Sequence, residues 1–238
     1  MSNLCIIPAR GGSKRIPRKN IKDFLGKPII AYSILAAIES KLFDEVMVST
    51  DDIEIAEIAF KYGALVPFLR SEINSTDFSN TVDVICEVIE NYNNLGKTFT
   101  NICCLYPTAP LINFENIRSA YDLMINNKFS TVFPVTVFSF PILRALKVDE
   151  KQKVDMIWPE NKTKRSQDLE QCYHDAGQFY WLKSHDIAIN NQLYTENSGV
   201  IILSEMDVQD IDNDVDWTLA ELKFQTKNNT KNASSNSY

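Results

Sequence analysis

"IIPARGGSKRIPRKNI", residues 6–21, joins an apolar run directly to a burst of positive charge. Arg10, Lys14, Arg15, Arg18 and Lys19 crowd into this stretch beside Gly11 and Gly12. The run that leads into it, "LCIIPA" (4–9), reads as a short buried strand. In an open α/β sheet ligands bind outside the carboxyl ends of the strands, which is where the next residues lie. Glycines there let the backbone approach a ligand and turn amide N–H groups toward anionic oxygens. Arg10, Lys14 and Lys19 add charge, and an arginine offers a bidentate fork. The stretch therefore predicts an anion site suited to a triphosphate, against the plainer alternative of a solvated basic turn. Neither G-x-x-x-x-G-K-[ST] nor G-x-G-x-x-G occurs, which excludes a P-loop and removes the main support for a dinucleotide fold.

The positive charge is local. The whole chain of 238 residues carries a net charge of −7, so it has no global basic field for duplex nucleic acid. With 45% hydrophobic residues it can bury a sizeable core. "MSNLCIIPAR" lacks the charged and apolar regions of a signal peptide. The run "STVFPVTVFSFPI" is broken by Pro134 and Pro141 and falls short of the roughly 18 residues of a membrane span. Cys5, Cys86, Cys103, Cys104 and Cys172 are odd in number and form no C-x-x-C pair, which argues against a disulfide framework or a zinc site. His174 and His185 lack metal-ligand spacing. A cytoplasmic protein is expected.

Outward from the opening stretch, strand-like and helix-like segments alternate. "PIIAYSILAAIES" (28–40) has helical spacing, with Pro28 suited to the first turn. "EVMVST" (45–50) reads as a strand, Asp51 as the cap of a helix over 52–62, and Gly63 as its stop. "ALVPF" reads as a further short strand. Val82, Ile85, Val88, Ile89 and Tyr92 mark one face of a helix. "NICCLY" (101–106) is a strand, 114–126 a helix capped by Asn113, and "STVFPVTV" a strand. This alternation predicts a mostly parallel sheet covered on both faces. From 139 to about 175 the pattern breaks, with two strand-like pieces and a polar loop, as in an insertion. "GQFYWL" and "VIILS" resume the strands, and 214–224 is a final helix begun by Asn213 or Asp214. The domain is expected to span 1–225, with 226–238 a disordered polar tail.

Asp210 and Asp212, in "QDIDNDVDW", are two apart and face one side of an extended chain. Two such carboxylates repel unless a cation or donor lies between them, and a hard ion such as Mg²⁺ suits them. The alternative is a solvated acidic turn with helix-capping duties.

At this point the sequence resembles a family. "IIPARGGSKRIPRKNI" is similar to the N-terminal signature of cytidylyltransferases that activate nine-carbon and related acidic sugars. "GKPIIAYSI", "VSTDDIEIAEIA" and "YGALVPFLR" follow in that family's order. "YPTAP", "RSQDLEQCYHDAGQFYW" and "VQDIDNDVDW" resemble the branch that makes CMP-pseudaminic acid. The resemblance covers residues 3 to about 225. It implies a Rossmann-like, three-layer α/β nucleotidyltransferase of the nucleotide-diphospho-sugar transferase type, with a small inserted dimerisation arm and a homodimer.

The resemblance also implies roles. CTP would lie against Ala9, Arg10, Gly11, Gly12, Ser13, Lys14, Lys19 and Asn20, with Arg70 near the nucleotide and Thr81 near the cytosine or ribose. Asp210 and Asp212 would hold Mg²⁺, and Arg10, Lys14, Lys19 and Asp212 would carry the chemistry. Tyr106, Arg165, Gln167, His174, Asp175 and Gln178 would line the sugar site, Arg165 facing the sugar's carboxylate. Tyr106 stands where sialic acid enzymes typically carry glutamine, which weakens an N-acetylneuraminate reading. Another acidic sugar such as legionaminic acid, a dinucleotide oxidoreductase and a non-catalytic nucleotide binder remain as alternatives.

Overall fold

The computed structural model describes residues 2–235. Its centre is a seven-stranded sheet. The strands are β1 (Asn3–Pro8), β2 (Glu45–Ser49), β3 (Asn101–Leu105), β4 (Thr131–Val137), β7 (Tyr173–Asp175), β8 (Phe179–Lys183) and β9 (Ser198–Leu203). The order across the sheet is β9-β4-β8-β3-β1-β2, with β7 also on β4. β1 pairs in parallel with β2 and β3, and β9 with β4, whereas β8 and β7 run antiparallel to their neighbours. The sheet is therefore mixed and mostly parallel. β7 and β8 run in the same direction, both against β4, and β8 thereby lies antiparallel between β4 and β3.

The apolar strands are buried on both faces, as the runs of Ile, Val, Leu and Cys require. Cys5, Ile7, Val48, Cys103, Leu105, Phe179 and Trp181 point to one side. There they meet α1 (Ile29–Ser40), α2 (Ile53–Lys61) and α4 (Phe114–Asn127). Leu4, Ile6, Met47, Ile102, Cys104 and Leu182 point to the other side, against α3 (Thr81–Asn94) and α5 (Ser184–Asn190). The period-2 alternation of strands thus separates two cores. Val82, Ile85, Val88 and Tyr92 supply the inner face of α3, as their spacing predicts. Asn80 and Asp83 close a capping box at its start, and the Asn113 side chain caps α4.

A third cluster matters most for function. Ile16, from the basic loop, packs with Phe24, Ile29, Ile211, Trp217 and Ala220. Ile211 lies between the two aspartates, and Trp217 belongs to α6 (Asp214–Ser235). The side chain of Asn213 caps α6 by accepting from the Val215 and Asp216 amides at 2.9 and 3.1 Å.

Several expectations need correction. Asp52, not Asp51, caps α2, accepting from the Ile55 amide at 3.1 Å. Asp51 instead accepts from the Gly11 amide at 2.9 Å. Pro28 is the residue before α1, not within its first turn. "ALVPF" forms a single bridge, Leu65 to Met47, and no strand, because the chain leaves the sheet edge at once. The polar tail is helical from 226 through Ser235, continuing α6, and 236–238 lie outside the described residues. The strand-like pieces of the 139–175 segment are β5 (Leu146–Val148) and β6 (Val154–Met156), a hairpin paired with itself and not with the main sheet. Among the described residues no helix is long and apolar enough to cross a membrane.

Candidate active site

β1 delivers the basic loop to the carboxyl end of the sheet, and the loop is anchored there in three ways. Ile16 is buried in the third cluster. Asn20, itself buried, donates to the Arg10 carbonyl at 2.9 Å and closes the loop on itself. Arg18 grips Asp52 and reaches Glu54 at 2.6 Å. That guanidinium holds the Asp52 carboxyl below the usual carboxylate range. Gly11 is required by close approach: a Cβ there would lie 2.6 Å from Asp52 Oδ2. Its amide is spent on Asp51, so of the two glycines Gly12, with open space around it, is the one free to meet a ligand closely. Arg18 is thereby part of the scaffold and not of the anion site.

Pro8, Arg10, Ser13, Lys14, Arg15, Lys19, Asn20 and Tyr106 line a cleft of about 240 Å³ behind this loop. Arg10 and Lys14 are already bridged by one carboxylate, Asp77, with Arg10 Nη1 at 2.6 Å. The two cations hold the Asp77 carboxyl below its usual range. An internal anion thus sits on the pair of side chains expected to bind phosphate. Nothing in the residue pattern signals it, since Asp77 lies in the polar run "INSTDFSN".

The acidic stretch adjoins this cleft, joined to two of its lining residues. Arg15 Nη1 lies 2.7 Å from Asp212 Oδ2, and Lys19 Nζ donates to the Ile211 carbonyl at 2.6 Å. Burial lowers the Lys19 ammonium's pKa, while the charges of Asp212 and Asp210 act the other way. Ile211 points inward, fully buried, so Asp210 and Asp212 turn outward together. Both line a cavity of about 390 Å³ with Thr136, His174, Asp216 and Lys223. Burial, followed by the charge of Asp212, raises the Asp210 carboxyl above its ordinary range. Two hard, mutually repelling oxygen donors suit Mg²⁺, which is commonly bound through one or two carboxylates plus substrate phosphates. Among the described residues no cluster of three or more acidic, histidine or cysteine side chains makes an all-protein cage. The donor set thus fits an ion whose shell a phosphate ligand completes.

The expected sugar contacts divide. β7 and β8 both run antiparallel along β4, but five residues, 176–180, stand opposite two, 133 and 134. This wide bulge, opened at Gly177 with φ 63°, pushes the chain toward the aspartates. Asp175 accepts from the Gly177 amide at 2.7 Å and from the Tyr180 hydroxyl. The residue stays exposed on β7, and partial desolvation raises the carboxyl's pKa. His174 lines the aspartate cavity, its Nδ1 2.9 Å from the Asp175 carbonyl. Tyr106 lines the cleft behind the basic loop, with its hydroxyl 3.3 Å from Thr81 Oγ1. Gln178, in contrast, is only 3% exposed and donates its amide to the Asp207 carbonyl at 2.6 Å.

Arg165 and Gln167 stand apart. Arg165 is exposed and paired with Asp168 at 2.7 and 2.9 Å. Gln167 lines a separate groove with Phe138, Pro141 and Leu169. Arg70 is 8% exposed and bonds the side chain and carbonyl of Ser49, strapping the end of β2 behind the cleft.

Comparison with known proteins gives a consistent result. Residues 4–230 match the family described as Cytidylyltransferase. The pseudaminic acid cytidylyltransferase of Campylobacter jejuni subsp. jejuni serotype O:2 is 44% identical over 225 residues, which is 94% of this chain and 97% of that protein. The CMP-N,N'-diacetyllegionaminic acid synthase of Legionella pneumophila is 33% identical over 230 residues, covering 93% and 95%. Among solved structures, CMP:2-keto-3-deoxy-manno-octonic acid synthetase complexed with CTP superposes with a TM-score of 0.69 at 16% identity, over 96% of this chain and 100% of that one. That last likeness speaks to the fold.

Proposed function

The chain belongs to the cytidylyltransferase family, and from that premise we propose that it is the enzyme that joins CTP to pseudaminic acid. The products are CMP-pseudaminic acid and pyrophosphate, and the activated sugar serves surface-glycan or flagellin glycosylation. The oxidoreductase and non-catalytic alternatives fall with the family. The observation that carries the reading is convergence: the cationic loop and the aspartate pair share one wall, joined by Arg15–Asp212 and by Lys19 on the Ile211 carbonyl.

The chemistry follows from that wall. Arg10 and Lys14 exchange Asp77 for the β- and γ-phosphates of CTP, and the open Gly12 lets the backbone close on them. Lys19, fixed beside the aspartates, faces the α-phosphate. Thr81 and Tyr106 bound the nucleoside side. The sugar's anomeric hydroxyl attacks the α-phosphorus and loses its proton to solvent, a new P–O bond forms, and the bond from the α-phosphorus to the bridging oxygen breaks, so that this oxygen leaves with pyrophosphate. Such transfer depends on positioning and charge neutralisation, and the loop neutralises the charge that builds on pyrophosphate. Asp210 and Asp212 would hold Mg²⁺, which supplies Lewis-acid polarisation of the α-phosphate when bound. His174, Asp175 and Tyr106 face the sugar, with Arg165 and Gln167 brought in from the arm.

The arm also supports a homodimer. Phe140, Leu146, Val148 and Val154 are 83, 59, 62 and 61% exposed, an apolar set suited to a second copy. Free thiols at all five cysteines support a reducing, cytoplasmic setting.

The test is a coupled pyrophosphate assay with CTP, Mg²⁺ and purified pseudaminic, legionaminic and N-acetylneuraminic acids. Release with pseudaminic acid well above the other two is expected. Equal or greater release with legionaminic acid would move the assignment to that sugar, and none with any acid would overturn it.

A further inference from the structure

The aspartates stand on a stretch with no regular structure, residues 208–213. Such a segment needs another source of rigidity if it is to hold two repelling carboxylates in register. Two side chains, Val208 and Ile211, are buried and fix its inner edge. Three carbonyls along 207–211 are taken by side-chain donors from three separate elements. Gln178 Nε2, from the β7–β8 bulge, donates to the Asp207 carbonyl at 2.6 Å. Lys223 Nζ, from α6, donates to the Val208 carbonyl at 2.7 Å. Lys19 Nζ, from the basic loop, takes the Ile211 carbonyl. One turn beyond Lys223 on α6, Lys227 pairs with the Asp207 carboxylate.

We propose that Gln178 and Lys223 are positioning residues which clamp the 207–211 backbone and so set the spacing of Asp210 and Asp212. Gln178 then serves the aspartates and not the sugar. The burial of its side chain agrees, because a residue 3% exposed has no face for a substrate hydroxyl. Its Oε1 is buried without a partner, a cost tolerated where the amide N–H is needed. Lys223 likewise spends one of its three donors on a carbonyl, when in water it would keep them all hydrated. Burial lowers the pKa of its ammonium. Lys223 also lines the cavity with Asp210 and Asp212. Because α6 also contributes Trp217 to the cluster under the basic loop, the clamp ties the metal-binding stretch to the phosphate-binding one.

This inference rests on the proposed metal role of the aspartates, so its test uses a readout independent of turnover. The variants are Lys223→Met, which keeps the apolar stem, Lys223→Arg, which restores a donor, and Gln178→Leu. Hydrogen exchange of the intact protein reports the 207–213 amides, and Mn²⁺ titration by electron paramagnetic resonance in the presence of CTP reports the ion. Lys223→Met and Gln178→Leu should speed exchange in 207–213 with the sheet unchanged. They should weaken Mn²⁺ by about tenfold, the lower end of what outer-shell partners contribute. CTP affinity without metal should stay as in the parent, and Lys223→Arg should recover most of the loss. Unchanged exchange over 207–213 in Lys223→Met overturns the clamp, as does a Lys223→Arg variant no better than Lys223→Met. If the parent releases no pyrophosphate with any sugar, the functional reading fails on its own, while the exchange data still decide the clamp.

Discussion

The basic loop and the acidic connector, 192 residues apart at Lys19 and Ile211, meet along one wall, whereas the arm's charged stretch around Arg165 stays apart from both. The difference is not charge, since all three stretches are rich in it. It is what accompanies the charge. The loop contains Ile16 and the connector contains Ile211, and both are buried in one cluster with Phe24 and Trp217. The stretch from 162 to 168 has no buried residue, and Arg165 closes on its own neighbour Asp168. Apolar burial is the term large enough to order a loop, while an exposed ion pair contributes about 0–1 kcal/mol. Functional charges are assembled where a neighbouring apolar residue has somewhere to go. On the arm, where none does, a second subunit or the substrate itself is left to order them.

Four substitutions sharpen or break this contrast. The largest effect belongs to Asp212→Asn. Turnover should fall on the order of 10²–10³-fold, as when a preorganised charge-stabilising group is removed, with circular dichroism and melting temperature near the parent's. Full activity in that variant would remove the metal assignment. Ile211→Ala should cost about 2–4 kcal/mol by chemical denaturation, a typical large-to-small penalty in a core. It should also weaken metal binding, because the residue that turns the two aspartates outward is gone. A loss of stability with metal affinity intact would show that the cluster and the site are independent.

Asp52→Asn probes the scaffold under the loop. Asparagine still caps α2, so the change isolates the Arg18 ion pair, and about 1 kcal/mol should be lost at pH 7. The sign follows from the depressed folded pKa of Asp52. Its contribution is fully present above the unfolded value near 3.9 and disappears as pH falls through the lower folded value. The gap between parent and variant should therefore close only in that acid window, and a gap that closes near pH 6 would assign it to another group. The smallest effect is expected from Arg165→Gln, which should leave CTP affinity by calorimetry unchanged while raising KM for the sugar. A fall in CTP affinity would mean that the arm reaches the nucleotide and that the two regions are not separate.

Much of this was legible from residues alone. An unbroken apolar run marks β1, a 3.6-residue period marks α3 and the Asn113 cap marks the start of α4, because each answers to a well-defined core or helix end. The loop's glycines and cations, and the D-x-D pair, mark the site because their chemistry is unusual for an acidic chain. Other features were not legible because they are decided by tertiary contact. Asp51 and Asp52 are adjacent and alike, and only the approach of Gly11 and Arg18 separates a ligand of the loop from a helix cap. The antiparallel placement of β7 and β8 is decided by long-range pairing with β4 and β3, which no local pattern announces. Gln178 and Arg70 look like ligand residues by type, yet each is turned inward onto a carbonyl. The helix through Ser235 continues from the Asn213 cap and the packing of Trp217, despite a polar sequence with no periodicity.

The most direct test is a crystal structure of the protein soaked with CTP. The triphosphate is expected against Arg10 and Lys14, with Asp77 displaced from both, and with the α-phosphate on the side of Lys19, Asp210 and Asp212. A nucleotide bound elsewhere, with Asp77 still bridging Arg10 and Lys14, would contradict the account.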